Sequence, residues 1–217
     1  VIDPVLIAST LSGTGDIGTT QNYGHSATYD DQGNIYTGAR CFGQGYPATV
    51  GAFDVTFGGG FGVDMVVSKL NPDGSALLFA TYLGGGSSEY PHSMVVTAAG
   101  ELSVFGSTES SDYPVTPGAV QTTFGGGLED VVVTKLTSDG SALVGSTYLG
   151  GAADDGRNYI TNNYDDRFRG EIICDASGNL LWATCTSGAG FPTTAGAFQP
   201  TFMGGTQDGV LLSLNND

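Results

Sequence analysis

Positive charge is what this chain of 217 residues most lacks: 6 lysines and arginines stand against 22 aspartates and glutamates, a formal net charge of −16. Nucleic acid is bound through clustered cations that displace counterions from phosphates, so it is excluded as a partner. Long apolar runs are missing too. No stretch approaches the ~18 consecutive apolar residues of a membrane helix, and the first residues show neither the basic nor the continuous apolar region of a secretory leader. Membrane insertion is not expected. Cysteine is scarce, with Cys41, Cys174 and Cys185 as the whole set. An odd number without C-x-x-C spacing leaves at least one thiol unpaired and reads as small buried hydrophobes. A Cys174–Cys185 bridge across one hairpin stays open. Helical periodicity of useful length is absent, as are G-x-S-x-G, H-E-x-x-H and any Cys–His pair that can be placed.

Glycine is abundant, 36 residues or about one in six, without a three-residue period, and aromatics make up 10%. That composition describes a folded, turn-rich chain rather than collagen or disorder.

The sequence repeats itself. Tyr46-Pro47-Ala48-Thr49-Val50-Gly51-Ala52-Phe53 returns as Tyr113-Pro114-Val115-Thr116-Pro117-Gly118-Ala119-Val120 and as Phe191-Pro192-Thr193-Thr194-Ala195-Gly196-Ala197-Phe198. Asp64 opens an alternating run to Lys69-Leu70, matched from Asp130 to Lys135-Leu136 and from Asp208 to Ser213-Leu214, at spacings of 66 and 78 residues. Ala80-Thr81-Tyr82-Leu83-Gly84-Gly85 recurs as Ser146-Thr147-Tyr148-Leu149-Gly150-Gly151 and more weakly as Ala8-Ser9-Thr10-Leu11-Ser12-Gly13. Three repeats fill the chain, approximately 1–77, 78–144 and 145–217, with no second domain.

Each repeat holds four runs rich in β-branched and aromatic residues, bounded by turn residues. In the middle repeat they are Ser93 to Thr97, Leu102 to Ser107, Val131 to Leu136 and Ala142 to Leu149. Turns such as Asn71-Pro72-Asp73-Gly74 and Thr137-Ser138-Asp139-Gly140 place glycine where a hairpin needs positive φ. Four antiparallel strands per repeat predict an all-β fold, a β-propeller segment of three blades.

Lys69-Leu70-Asn71-Pro72-Asp73-Gly74-Ser75-Ala76-Leu77, Thr81-Tyr82-Leu83-Gly84-Gly85 and Phe191-Pro192-Thr193-Thr194 together resemble the bacterial SBBP repeat family, named for a seven-bladed propeller. The resemblance covers essentially the whole chain. It implies a secreted or cell-surface bacterial protein, often large and multidomain and sometimes exported by the type IX route, and it implies no reaction. The third repeat departs from the pattern with Ser213 in place of lysine and with an inserted loop.

The first strand, Val5 to Thr10, is of the fourth type and the last, Val210 to Leu214, of the third. Single rings hold about four to eight blades, so three do not close alone. The expected partners are therefore further blades or domains of the same parent protein, or a second copy that completes the ring.

Long connections gather on one face, at 41–62, 109–128 and 187–206, together with the loops leading into each first strand, 14–22, 86–89 and 152–167. Long loops on a rigid scaffold are where function concentrates. The last of these loops and its edge hold Asp154, Asp155, Arg157, Tyr159, Tyr164, Asp165, Asp166, Arg167, Phe168 and Arg169, and Tyr and Arg make strong binding contacts. The alternative is an Arg–Asp laced insertion that packs on its own blade. His25 aligns with His92, and Tyr23 with Tyr90, whereas the third repeat has Gly170 and Phe168 there. Tyr23, His25, Tyr90, His92, Arg157, Tyr159, Tyr164 and Arg167 are thus the candidate ligand- or partner-binding residues, with no catalytic residue and no metal ligand among them. Asp64, Asp130 and Asp208 occupy one repeated position and read as architecture, carboxylates that accept backbone N–H bonds at the start of a strand.

No cofactor is expected. Calcium is the one ion that the Asp154-Asp155 and Asp165-Asp166 pairs suggest, but they lack EF-hand spacing, and the calcium-roll pattern at Gly59 to Val66 occurs once without adjacent copies. Gly13-Thr14-Gly15-Asp16-Ile17-Gly18 fits a dinucleotide fingerprint but leads into no helix. The leading expectation is a non-enzymatic, extracellular structural or adhesive interaction module. A lectin-like binder that stacks sugars on Tyr23, Tyr90, Tyr159 and Tyr164 is the alternative, and a polysaccharide-acting hydrolase or lyase comes third.

Overall fold

The computed structural model describes residues 9–11, 13, 22–158 and 170–215, except for the side chains of Asn22 and His25. Among the described residues every regular element is a strand, and the fold is all-β. The strands are β1 (Asn22–Tyr29), β2 (Ile35–Cys41), β3 (Asp64–Leu70), β4 (Leu77–Leu83), β5 (Glu89–Val96), β6 (Leu102–Thr108), β7 (Asp130–Leu136), β8 (Leu143–Leu149), β9 (Glu171–Cys174), β10 (Leu180–Thr186) and β11 (Asp208–Leu214). They form three antiparallel sheets, β1-β2-β3-β4, β5-β6-β7-β8 and β9-β10-β11. The expected strands of the middle repeat are all present. The first is extended most beyond the sequence reading: it begins at Glu89, because the chain continues to pair with β6 past a register shift between Pro91 and Ser93, while β6 and β7 each gain one residue, Thr108 and Asp130. The short turns use glycine as anticipated, with positive φ at Gly33, Gly74, Gly100, Gly140 and Gly178.

Adjacent sheets stack face to face. Tyr36, Met65, Val67, Phe79 and Leu83 of the first sheet pack against Met94, Leu102, Val104, Val132, Leu136 and Tyr148 of the second. On its other face the second sheet offers Phe105, Val131, Val133 and Leu149 to Ile172, Leu180 and Trp182 of the third. The first strands touch in series, β1 with β5 and β5 with β9, so the sheets fan out from a line of first strands. Strands β3 and β7 are buried along almost their whole length, whereas β11 alternates between half-buried and exposed residues. Such alternation marks a sheet covered on one side only.

The repeated Thr-Tyr-Leu-Gly-Gly motif fastens the long connection of its own sheet. Thr81 Oγ1 accepts the Asp54 N–H at 2.9 Å and donates to the Asp54 carbonyl at 3.0 Å. The Tyr82 hydroxyl accepts the Tyr46 N–H at 3.0 Å and donates to the Gly43 carbonyl at 3.2 Å. Thr147 and Tyr148 repeat this on Gln121, Tyr113 and Ser110. The rings of Tyr46 and Phe57 meet Tyr82 edge-on, and those of Tyr113 and Phe124 meet Tyr148 in the same way. Removing the hydroxyl in Tyr82→Phe leaves a buried donor and acceptor unmatched, so the expected loss of stability is about 1–3 kcal/mol. Urea denaturation checks it, and an unchanged midpoint would show that the loop is held elsewhere.

The three cysteines are free. Cys174 pairs with Leu180 at one end of β10 and Cys185 lies opposite Gly209 near the other, so the two thiols cannot bridge. Cys41 is buried, and the other two are half-buried. The expected leading strand, Val5 to Thr10, falls largely outside the described residues; Ser9, Thr10 and Leu11 are exposed.

Candidate functional site

At the end of the sheets where the long connections gather, β1, β2, β5 and β6 bring together side chains that the sequence places far apart. Arg40 of β2 is buried, with its guanidinium 5.7 Å from the Tyr23 ring centroid and 5.6 Å from that of Tyr90. Tyr23 also meets Phe42 edge-on at 5.5 Å. The Tyr90 hydroxyl donates to Glu109 Oε1 at 3.1 Å. Burial, followed by the charge of Glu109, pushes the Tyr90 phenol well above its ordinary range.

Beside this cluster lies a second one built on Glu129. Its Oε2 accepts the Ser107 hydroxyl at 2.9 Å, and its Oε1 pairs with Arg157 Nη1 at 3.0 Å. Ser107 Oγ is 3.2 Å from His92 Nε2, and the His92 ring stands edge-on to Phe105. Glu129 is fully buried, and burial raises its carboxyl to about 7 although Ser107 and the Arg157 charge both oppose the rise. Serine, histidine and carboxylate meet here, but in the wrong order for acyl transfer. In a catalytic triad the histidine takes the serine proton and the carboxylate holds the far side of the imidazole. Here the carboxylate grips the serine hydroxyl itself, and Ser107 is completely buried.

Of the expected residues, Tyr23, Tyr90, His92 and Arg157 thus gather at one end of the fold. Tyr159, Tyr164 and Arg167 lie outside the described residues, and so does the side chain of His25. The backbone does show why the two histidines align: the register of β1 shifts between Gly24 and Ser26, and that of β5 between Pro91 and Ser93, so His25 and His92 are each the extra residue of a bulge. A bulge re-aims a side chain. Sequence reading missed Arg40, Ser107, Glu109 and Glu129. Repeat alignment does carry a signal for two of them, because Arg40 shares its position with Ser107 and Cys185, and Glu129 shares its position with Val63 and Gln207. A charge in one copy of a position that is otherwise neutral marks a local specialisation.

The aligned aspartates do what a carboxylate at the start of a strand was expected to do. Asp64 Oδ2 accepts the Gly58 N–H at 2.8 Å, Asp130 Oδ2 accepts that of Gly125, and Asp208 Oδ2 that of Met203. At the two seams between sheets each aspartate also meets an acid of the next repeat, an arrangement not foreseen from the sequence. Glu89 Oε1 accepts bonds from Thr108 and Ser110, while Glu89 Oε2 and Asp64 Oδ1 are buried without a donor. Both of these oxygens crowd the same side of Gly84, where a Cβ would stand 2.5 Å from the first and 2.7 Å from the second. Burial is the main force that raises Asp64 to about 6 and Glu89 to about 7. Asp130 and Asp155 follow at the next seam, at about 7 and about 6 for the same reason. Asp154 and Asp155, candidates for calcium by sequence, instead accept backbone N–H groups of Leu128 and Gly151. Among the described residues no group of three or more His, Cys, Asp or Glu side chains could hold a metal ion.

Compared with protein-family models and with curated proteins, the chain matches none.

Proposed function

We propose that the chain is a run of three β-propeller blades that works as a non-enzymatic interaction module and is completed by further blades. The observation that carries this reading is the outward face of the third sheet. Leu211 is 86% exposed, whereas Val67 and Val133, which hold the same position in the first and second sheets, are 0% and 3% exposed beneath the sheet that follows. Phe198, fully exposed, aligns with Phe53, which is partly buried at the first seam and whose N–H reaches the Gly140 carbonyl of the second sheet. The serial contact of first strands is also what blades arranged around an axis make. The buried order of Glu129, Ser107 and His92 supports a structural rather than a catalytic role for that cluster. The acidity, the scarcity of lysine and the resemblance to SBBP repeats favour a place in a secreted or cell-surface bacterial protein, with the loop-bearing face available to a protein partner.

Light scattering over a concentration series tests the reading. The polypeptide is expected to associate as concentration rises, and Leu211→Lys, which places a charge in the middle of the open face, is expected to shift it toward monomer. A wild-type chain that stays monomeric throughout, or a variant that associates equally well, would overturn it.

A further inference from the structure

The first two sheets each lock their fourth strand to their long connection, and the third sheet keeps the receiving half of that lock. Thr49 Oγ1 donates to the Ala80 carbonyl at 3.3 Å and accepts the Ala80 N–H at 3.1 Å; Thr116 makes the same pair of bonds with Ser146. Gln121 Oε1 accepts the Gly150 N–H at 3.1 Å, and Phe57 and Phe124 flank the tyrosines of the two inserted strands. The third connection retains Thr194 at the threonine position, Gln199 at the glutamine position and Phe202 at the phenylalanine position. Thr194 and Gln199 are exposed there, whereas Thr49, Thr116 and Gln121 are half-buried under their strands. Among the described residues β11 pairs with β10 alone, and no described strand lies along its outer edge beside this receiver; a strand edge of that kind is a template for pairing with another strand.

We infer that the edge of β11 and the connection 187–207 form an acceptor for a β-strand bearing Thr-Tyr-Leu-Gly-Gly, supplied by a further repeat from outside these 217 residues. The inference rests on the propeller reading and goes further, because it specifies the chemistry of the incoming strand. Two strands of that type exist in the chain, β4 and β8, and both already belong to sheets. The remaining copy, Ala8-Ser9-Thr10-Leu11-Ser12-Gly13, has Thr10 in place of tyrosine, and a threonine hydroxyl lies too close to the backbone to span the distance that the phenol of Tyr82 or Tyr148 covers. It also has Ser12 where Gly84 and Gly150 pass against a carboxylate with no room for a Cβ. Leu11 is fully exposed, whereas Leu83 and Leu149 at the same position are buried. A second copy of the chain brings only these same strands and does not meet the requirement.

The test uses the 217-residue polypeptide and three synthetic peptides: Ser141 to Gly151 as it stands, the same peptide with Tyr148→Phe, and Val5 to Gly13. Amide NMR shifts report binding and its location. The Ser141 to Gly151 peptide is expected to bind saturably and to shift amides of Val210–Leu214 together with Thr194 and Gln199. The phenylalanine version is expected to bind about tenfold more weakly for want of the phenol's two hydrogen bonds. Thr194→Val combined with Gln199→Ala, both at exposed positions, is expected to weaken binding without loss of fold. Equal or tighter binding of the Val5 to Gly13 peptide would overturn the inference, and so would the absence of any shift in the β11 amides. Because the peptide probes the edge and Leu211→Lys probes the face, either result can fail without the other.

Discussion

Alanine at Gly150 is expected to destabilise the protein by about 3 kcal/mol or more, the upper end of what overpacking usually costs. The backbone is not the reason, since Gly150 is absent from the positive-φ glycines. The reason is space: a Cβ there would overlap Asp130 Oδ1 and its Cγ, well inside van der Waals contact. Asp130 cannot swing away without surrendering the Gly125 N–H that it accepts at the start of β7. Gly84→Ala meets the Asp64–Glu89 pair in the same way. Gly145→Ala is the control, because a Cβ at that strand position meets nothing within 4 Å and is expected to be close to neutral. Thermal and urea unfolding of the three variants decide the matter. A Gly150 variant as stable as the Gly145 variant would show that the seam yields.

Stability is expected to fall as pH rises from about 5 to about 8, by roughly 3 kcal/mol or more. Asp64, Glu89, Glu129, Asp130 and Asp155 all titrate between about 6 and about 7 in the folded protein, against 3.8 or 4.5 without the fold. In that window the folded state holds more protons than the unfolded state, so raising the pH favours unfolding. Each unit of displacement is worth about 1.4 kcal/mol, and two units at a single group give the stated figure. Groups at one seam titrate together, so their shifts do not simply add. Asp30 acts in the opposite sense: although burial opposes it, Asn34 and Lys69 draw it down to about 2, and its contribution is lost only when pH falls below the ordinary carboxylate range. The optimum therefore lies near pH 4 to 5. Urea midpoints measured at pH 5 and pH 8 test this, and equal or higher stability at pH 8 would refute it.

The strand plan was legible because three copies of one pattern vote on every element. Asn71-Pro72-Asp73-Gly74 and its counterparts marked the turns, and Asp64, Asp130 and Asp208 marked where the third strands begin. The start of β5 was not legible, since Pro91 and the bulge at His92 interrupt the alternation that identifies a strand. The seams were hidden for a different reason. Glu89 follows Gly84 by five residues and lies beside Asp64 only because one sheet stacks on the next, and periodicity within a repeat says nothing of contacts between repeats. Cluster membership was half legible: aromatic and basic residues pointed to Tyr23, Tyr90, His92 and Arg157, but the buried carboxylate that organises His92 and Arg157, Glu129, sits where the first repeat has valine.

The long connections are gripped at a few fixed points. Asp54 and Gln121 offer backbone N–H and C=O groups to a threonine, Tyr46 and Tyr113 offer a backbone N–H to a tyrosine, and the Thr49, Thr116 and Gln121 side chains hold the fourth strands. The side chains at the loop tips, among them Val50, Phe61, Val120 and Leu128, point into solvent and carry none of that grip. Evolution can therefore rewrite the tips one repeat at a time, and the loop surface can diversify while the scaffold that presents it stays unchanged.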